Sequence, residues 1–260
     1  MTSRNTEIFF EVFESLPRQG PGNFACAQRA LSCCHHLPAT PQILDVGCGS
    51  GAQTLHLAAL TNGTILAIDH HPPLIEKLQK QLDLQGLTTR VKTQVGDIAV
   101  LAPTLGQHDL VWSEGALYTL GLETALPLCA GWLRPGGYLV FTEAVWRTPE
   151  PPPDVRAAFA DYATMGWVDD VVKHIHANDL ELVEHFDLPD AAWWDDFYAP
   201  LERRITALRG KYVNDAEANA ALDTLANEPA MYRRSGEHYG YTFFIARRVN
   251  RANQPSPARP

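Results

Sequence analysis

The sequence predicts an α/β fold in which a mostly parallel sheet is wrapped by helices, and three observations carry that expectation. From Pro41 onward, short apolar runs end in Gly or Asp and are each followed by a helical period, the pattern of parallel strands joined by crossover helices. Two further strand-like runs near the end of the chain are available to close the sheet. With 45% hydrophobic residues among 260, the chain buries a sizeable core, most simply as one domain carrying an insertion.

In chain order, residues 1–40 read as a helical cover. Positions 7–16 mix apolar and acidic residues, 17–23 form a Pro/Gly turn, and 24–37 are amphipathic. The core, residues 41–148, supplies strands at 42–46, 64–68, 90–95, 108–112 and 138–144, with helices near 53–59, 72–85 and 121–132. The proline-rich stretch 148–153 leads out of it as an extended connection. Residues 149–249 complete the core with a helix at 155–165, a strand at 180–188 and a terminal strand at 239–249 rich in Tyr, Phe and Ile. Residues 189–236, helical around LERRITALR and NDAEANAALDTLA, are too long for a plain loop and are expected to lie over one face as a candidate lid. The tail 250–260 is expected to be disordered.

Composition narrows the function. Lys and Arg total 21 against 30 Asp and Glu, a formal charge of -9, which argues against a nucleic-acid partner that needs a dense cationic face. The N-terminus lacks a basic start followed by an apolar run, and no stretch spans a bilayer, so a cytoplasmic protein without membrane contact is expected. Five cysteines, an odd number without paired ligand spacing, predict free thiols. The doublets His35-His36 and His70-His71 have no Cys or carboxylate at ligand spacing, so no metal site is expected. The sequence carries no indication of oligomeric state.

The strongest local signal is ILDVGCGSGAQTLHLA, where a strand runs into Gly47, Gly49 and Gly51 before a helix opens at Ala52. Glycines there let backbone N–H groups approach a ligand closely. The same loop satisfies the dinucleotide fingerprint G-x-G-x-x-A, with Asp69 spaced to hold a ribose, so by itself it leaves a nicotinamide cofactor open. Asp45, two residues before the first glycine, suits an amino group better than a pyrophosphate. S-adenosylmethionine (SAM) carries such an amine.

LDVGCGSG resembles the glycine-rich first motif of class I SAM-dependent methyltransferases, with Asp45 as its acidic lead residue. Further motifs follow in that family's order over residues 42–146. The resemblance implies a Rossmann-like sheet of seven strands with an antiparallel C-terminal strand, SAM as cofactor and S-adenosyl-L-homocysteine as product. It implies that Asp69 accepts both ribose hydroxyls, that Asp97 of Gly96-Asp97-Ile98 takes the adenine amine, and that Ile98 stacks on the ring. Cys48, Gln53, His70 and Ser113 complete the implied cofactor set, although Cys48 reads equally as a small side chain packed behind the loop and Asp97 as a helix cap. DLVWSEGALYTLG resembles the fourth strand with its active-site loop, LRPGGYLVFTEAVW the fifth strand, and YGYTFFIARR the closing strand. PRQGPG, WSEGALY, TEAVW and AWWDDFYAPLERRI together resemble a bacterial branch of small-molecule methyltransferases with a W-S-E-G-A-x-Y signature.

The expected reaction is methyl transfer to an N or O atom of a small molecule. Glu114 and Glu143, at the rims of the fourth and fifth strands, are the candidate general bases. Tyr118, Trp146, Trp193, Trp194 and Tyr198, with Trp112, are candidates for an aromatic enclosure, and Arg18 either binds a substrate carboxylate or ties the N-terminal cover down. Two other readings stay open: an NAD(P)-dependent oxidoreductase, which would need a Tyr-x-x-x-Lys pair the chain lacks, and a non-catalytic SAM-binding sensor.

Overall fold

The structure, a computed structural model, describes residues 3–102, 105–160, 162 and 165–249; the expected tail, residues 250–260, lies outside them. Its sheet has the order β3-β2-β1-β4-β5-β7-β6. The strands are β1 (Gln42–Val46), β2 (Thr64–Asp69), β3 (Val91–Val95), β4 (His108–Ser113), β5 (Leu133–Trp146), β6 (Leu180–Asp187) and β7 (Tyr239–Arg248). The first five run parallel, while β7 is antiparallel to both β5 and β6. The chain reverses between β1 and β4, so their C-terminal tips part at a switch point, the place where open α/β sheets bind ligands.

Local chemistry explains most boundaries. In α2 (Phe24–Ser32), the Asn23 side chain caps the first turn by accepting from the Cys26 N–H at 2.9 Å. After α3 (Ala52–Leu60), α4 (Pro72–Gln85) starts on two prolines and stops at Gly86, whose φ of 66° ends the helix in the left-handed region. β5 begins earlier than the 138–144 expected: His108 pairs with Leu133, and the register then jumps to Leu110 with Tyr138, so Arg134–Gly137 form an irregular segment within the strand. Short α5 (Ile98–Leu101) follows β3, and α6 (Leu122–Trp132) precedes β5.

The helix expected at 155–165 is confined to α7 (Pro153–Ala158), and residues 161, 163 and 164 lie outside the described residues. An unexpected helix, α8 (Val168–His176), buries Val171 and Ile175 beside β6 and α6; its three valines disguise the helical period. The insertion runs through α9 (Asp190–Trp193), a π-helical turn at Trp194–Tyr198, α10 (Ala199–Lys211) and α11 (Ala216–Ser235). The N-terminal helix α1 (Ser3–Phe13) packs against α10 and α11. Glu11 joins them: it accepts from Tyr212 Oη at 2.6 Å and pairs with Lys211 at 2.7 Å. Cover and insertion therefore form one helical layer. Among the described residues no helix is long and apolar enough to cross a membrane.

Candidate active site

The tips of β1, β2 and β4 and the helical layer together enclose a cavity of about 1210 Å3. Single-ligand pockets usually fall between roughly 300 and 1,000 Å3, so there is room for two ligands side by side. One wall is the turn from β1 into α3. Gly47 there has φ 69°, and a Cβ on it would lie 2.2 Å from Ala116 Cβ, in the loop after β4. Only glycine lets the two strand-tip loops approach this closely. The backbone of Gly47, Cys48 and Gly49 faces the cavity.

Asp69, at the tip of β2, is buried and lines the same wall. It accepts from the Gly49 N–H at 2.8 Å and the His71 N–H at 2.9 Å, so one carboxylate ties the glycine loop to the start of α4 and retains lone pairs for a ligand. Gly96, Asp97 and Ile98 continue the wall; Asp97 also caps α5 through the Ala99 N–H at 2.8 Å. Phe9, Phe10 and Phe13 of α1 roof this side, where Phe10 stacks on the His71 ring at 4.2 Å and Glu14 meets His71 Nε2 at 2.7 Å.

The PRQGPG turn crosses above the glycine loop. Gln19 Oε1 accepts from the Ser50 N–H at 2.8 Å, and Arg18 Nη2 donates to Glu114 Oε2 at 2.7 Å with both side chains buried. Trp112 Nε1 donates to the other Glu114 oxygen at 2.9 Å. Arg18 also donates to the carbonyls of Gly20 at 2.6 Å and Pro21 at 3.1 Å, while its Nη1 is buried with no hydrogen-bond partner among the described residues. Gly22, at φ 144°, is where this pair needs space: a Cβ there would be 2.3 Å from Arg18 Nη2 and 2.5 Å from Glu114 Oε2.

The opposite wall is aromatic. The π-helical turn swings Phe197 and Tyr198 inward beside Trp193, and Phe159, Tyr162, Tyr239 and Tyr241 join them. Tyr118 stacks on Tyr162 at 4.8 Å, and Tyr162 is hydrogen-bonded to Glu143 and Tyr241. Burial pushes the Tyr162, Tyr198 and Tyr241 hydroxyls well above the usual phenol range, so they stay protonated. Glu228 of α11 reaches this wall and accepts from Tyr198 Oη at 3.0 Å.

Several expectations need correction. Asp45 does not line the cavity: it is fully buried behind the loop, accepts from Thr54 Oγ1 at 2.5 Å and Gln53 Nε2 at 3.4 Å, and burial pushes its pKa up to about 7. Gln53 does line the cavity and stands between Asp45 and it. Gly51 faces α4, where a Cβ would strike Leu78 at 2.2 Å, so that glycine serves helix packing. Ser113 is buried and donates to the Val46 carbonyl at 3.0 Å, joining β4 to β1 behind the site. Glu114 is not a bare base; its two oxygens are engaged by Arg18 and Trp112. Glu143 lies behind Tyr162 and not on the cavity wall. Trp146 packs edge-on against Phe159 at 5.6 Å, and Trp194 lies under the Arg233 guanidinium at 4.4 Å, both outside the lining.

Cys48 is buried, its Sγ 3.7 Å from the Gly49 carbonyl, and burial raises its thiol pKa well above normal. His70 borders the cavity with its side chain 79% exposed. Tyr118, Trp193 and Tyr198 line the cavity. Gln19, Tyr162, Tyr241, Glu228 and the three phenylalanines of α1 were not anticipated. Of these, Gln19 lies in the PRQGPG turn and Tyr241 in YGYTFFIARR, so the sequence held their segments but not their place on the wall.

A nucleoside bearing an amino acid fits this architecture: a backbone cradle that a Cβ would fill, a ribose-sized carboxylate at a strand tip, and an apolar flank at Ile98. Residues 43–137 match the model of a methyltransferase domain. A Bacillus subtilis methyltransferase of uncharacterised activity, YodH, is 28% identical over 136 residues, covering 52% of this chain and 57% of that protein. A Bordetella parapertussis ribosomal protein L11 methyltransferase is 28% identical over 139 residues, covering 51% and 42%. The chain thus spans about half the length of these curated relatives. The same fold appears in a Geobacter sulfurreducens SAM-dependent methyltransferase crystallised with S-adenosyl-L-homocysteine, with TM-score 0.79 and 20% identity over 92% of this chain and 97% of that one. A Thiobacillus denitrificans counterpart gives 0.77 at 20% identity, covering 92% and 97%. The chain thus carries a match to a methyltransferase domain over residues 43–137 and, over most of its length, the fold of these SAM-dependent methyltransferases.

Proposed function

We propose that this protein transfers a methyl group from SAM to an N or O atom of a small molecule enclosed between the strand tips and the helical layer. The observation that carries this reading is one continuous cavity, which joins the glycine cradle and Asp69 to an aromatic compartment lined by residues of α7, α9 and α11. A concave, largely aromatic compartment of that kind suits a small acceptor.

Bound SAM supplies an electrophilic methyl on its sulfonium. The chain's own groups then position and shield. Asp69 is assigned to the ribose hydroxyls, Asp97 and Ile98 to the adenine, and the backbone of residues 47–49, with Gln53 beside it, to the amino-acid end. Arg18, with one guanidinium N–H group lacking a protein acceptor, is assigned to an anionic or carbonyl oxygen of a ligand. Glu114 holds Arg18 in place, and the aromatic wall excludes water so that the acceptor is aligned rather than hydrated.

Calorimetric titration with S-adenosyl-L-homocysteine, SAM and NAD tests the cofactor half; binding of NAD alone would refute it. Labelled-methyl transfer into a metabolite extract tests the acceptor half, and label recovered only in protein would redirect the reading to a macromolecular substrate. Glu114→Gln is expected to spare S-adenosyl-L-homocysteine binding and lower turnover through loss of the Arg18 anchor.

A further inference from the structure

The aromatic wall holds a carboxylate that has no ion-pair partner among the described residues. Glu228 is an exposed residue of α11 on the cavity lining, and its protein hydrogen-bond partner is a neutral hydroxyl, Tyr198 Oη at 3.0 Å. Among the described residues no Lys, Arg or His stands within ion-pair distance of it. Arg234, the nearby cation on the same lining, is paired with Asp154 at 3.7 Å. Tyr118, Tyr198, Tyr239 and Tyr241 all lie within electrostatic reach of Glu228, and Glu143 adds a second carboxyl behind Tyr162. The Tyr239 hydroxyl and the Trp193 indole N–H, both in this wall, are buried without a hydrogen-bond partner among the described residues.

A carboxylate that faces a ring-lined cavity with only a neutral hydroxyl as partner leaves its charge available to a cation brought into that cavity. Aromatic faces present negative potential, so rings and carboxylate act in the same direction, attracting a cation and repelling an anion. Resting on the methyltransferase reading, we infer that this compartment takes its substrate as a protonated amine, with Glu228 as counter-charge and the faces of the surrounding tyrosines and Trp193 as enclosure. Glu228 is also the proton acceptor this substrate needs. Transfer of one proton from the ammonium nitrogen to a Glu228 oxygen leaves a neutral amine with its lone pair and a neutral carboxylic acid. Desolvation in the cavity raises the Glu228 pKa and so favours that neutral acid.

The test is calorimetric titration of the full chain, with and without S-adenosyl-L-homocysteine, using three probes that share a phenylethyl group: 2-phenylethylamine, 2-phenylethanol and 3-phenylpropionate. The amine is expected to bind at least about tenfold more tightly than the alcohol at pH 7, and the carboxylate not at all. Glu228→Gln, checked for folding by its thermal melt, is expected to remove the amine's advantage while leaving the alcohol unchanged. Equal or better binding of the alcohol, binding of the propionate, no binding of any probe, or an amine preference that survives Glu228→Gln overturns the inference. The wild-type series decides the matter even if the variant fails to fold. Absence of S-adenosyl-L-homocysteine binding is a separate failure, of the methyltransferase reading, because the amine series is also read without it.

Discussion

The strand-tip wall of the cavity and its helical wall solve different problems. The strand-tip wall is made of short turns at neighbouring strand ends: Gly47 and Gly49 lie in one turn, Asp69 ends β2, and Asp97 caps α5 two residues after β3. The helical wall is assembled from side chains far apart in sequence, Phe10, Tyr118, Trp193, Glu228 and Tyr241, brought together by packing of α1 and the insertion on the sheet. A wall of backbone groups suits a ligand common to a family, whereas a wall of side chains is free to change with the acceptor. The seam between them is the buried Arg18–Glu114 pair.

Breaking that seam is the largest perturbation. Arg18→Ala leaves Glu114 buried with only Trp112 as partner, and should cost about 3–5 kcal/mol in urea unfolding. Pairing Arg18→Met with Glu114→Gln should recover much of the loss. A cost below about 1 kcal/mol would mean the two walls are not joined there.

Next in size is a pH effect confined to the strand-tip wall. Burial raises the Asp45 pKa to about 7, so the folded protein holds that proton over a range where the unfolded chain has released it. The stabilisation is complete below about pH 4 and is lost as pH rises through 7. Asp45→Asn, which cannot ionise, should gain on the wild type by on the order of 2–4 kcal/mol between pH 4 and 8. A stability difference that is flat with pH would show Asp45 to be better solvated than its full burial implies.

Asp69→Ala should weaken S-adenosyl-L-homocysteine binding by about 2–3 kcal/mol, part of it through release of the Gly49 loop. Asp69→Asn separates the two contributions, since it can still accept from Gly49. Unchanged affinity in both variants would remove Asp69 from the cofactor wall. The smallest effect belongs to the helical layer: Glu11→Gln, which disrupts the half-exposed contacts to Lys211 and Arg204, should cost under about 1 kcal/mol in the same unfolding assay. A larger loss would mark α1 as integral to the layer.

Legibility in the sequence follows the same division. Strands β1, β2, β4 and β7 and helix α4 were readable because their apolar periods, the α4 prolines and Gly86 act within a few residues. The span 189–236 was readable as an insertion from its length alone. The long start of β5 was hidden by Arg134–Gly137, which read as a turn, and α8 by its valines. Asp45, Gly51 and Ser113 fall in or beside family motifs, yet their motif positions do not reveal that all three face inward. Glu228 was missed because nothing near it in sequence points to a site, and Tyr241 because its segment reads only as the closing strand.

What the sequence by itself determined was the order of the strands, the glycine turn and the carboxylates at or just after the ends of β2 and β3, since backbone conformation and strand termini depend on neighbours only a few residues away. Tertiary structure decided the partners. It paired Glu114 with Arg18 across 96 positions, set Asp45 behind Thr54 and Gln53, and turned Glu228 toward the tyrosines. A carboxylate is a base, a counter-ion or a ligand according to the donors and dielectric around it, and those are supplied by segments that only folding brings together.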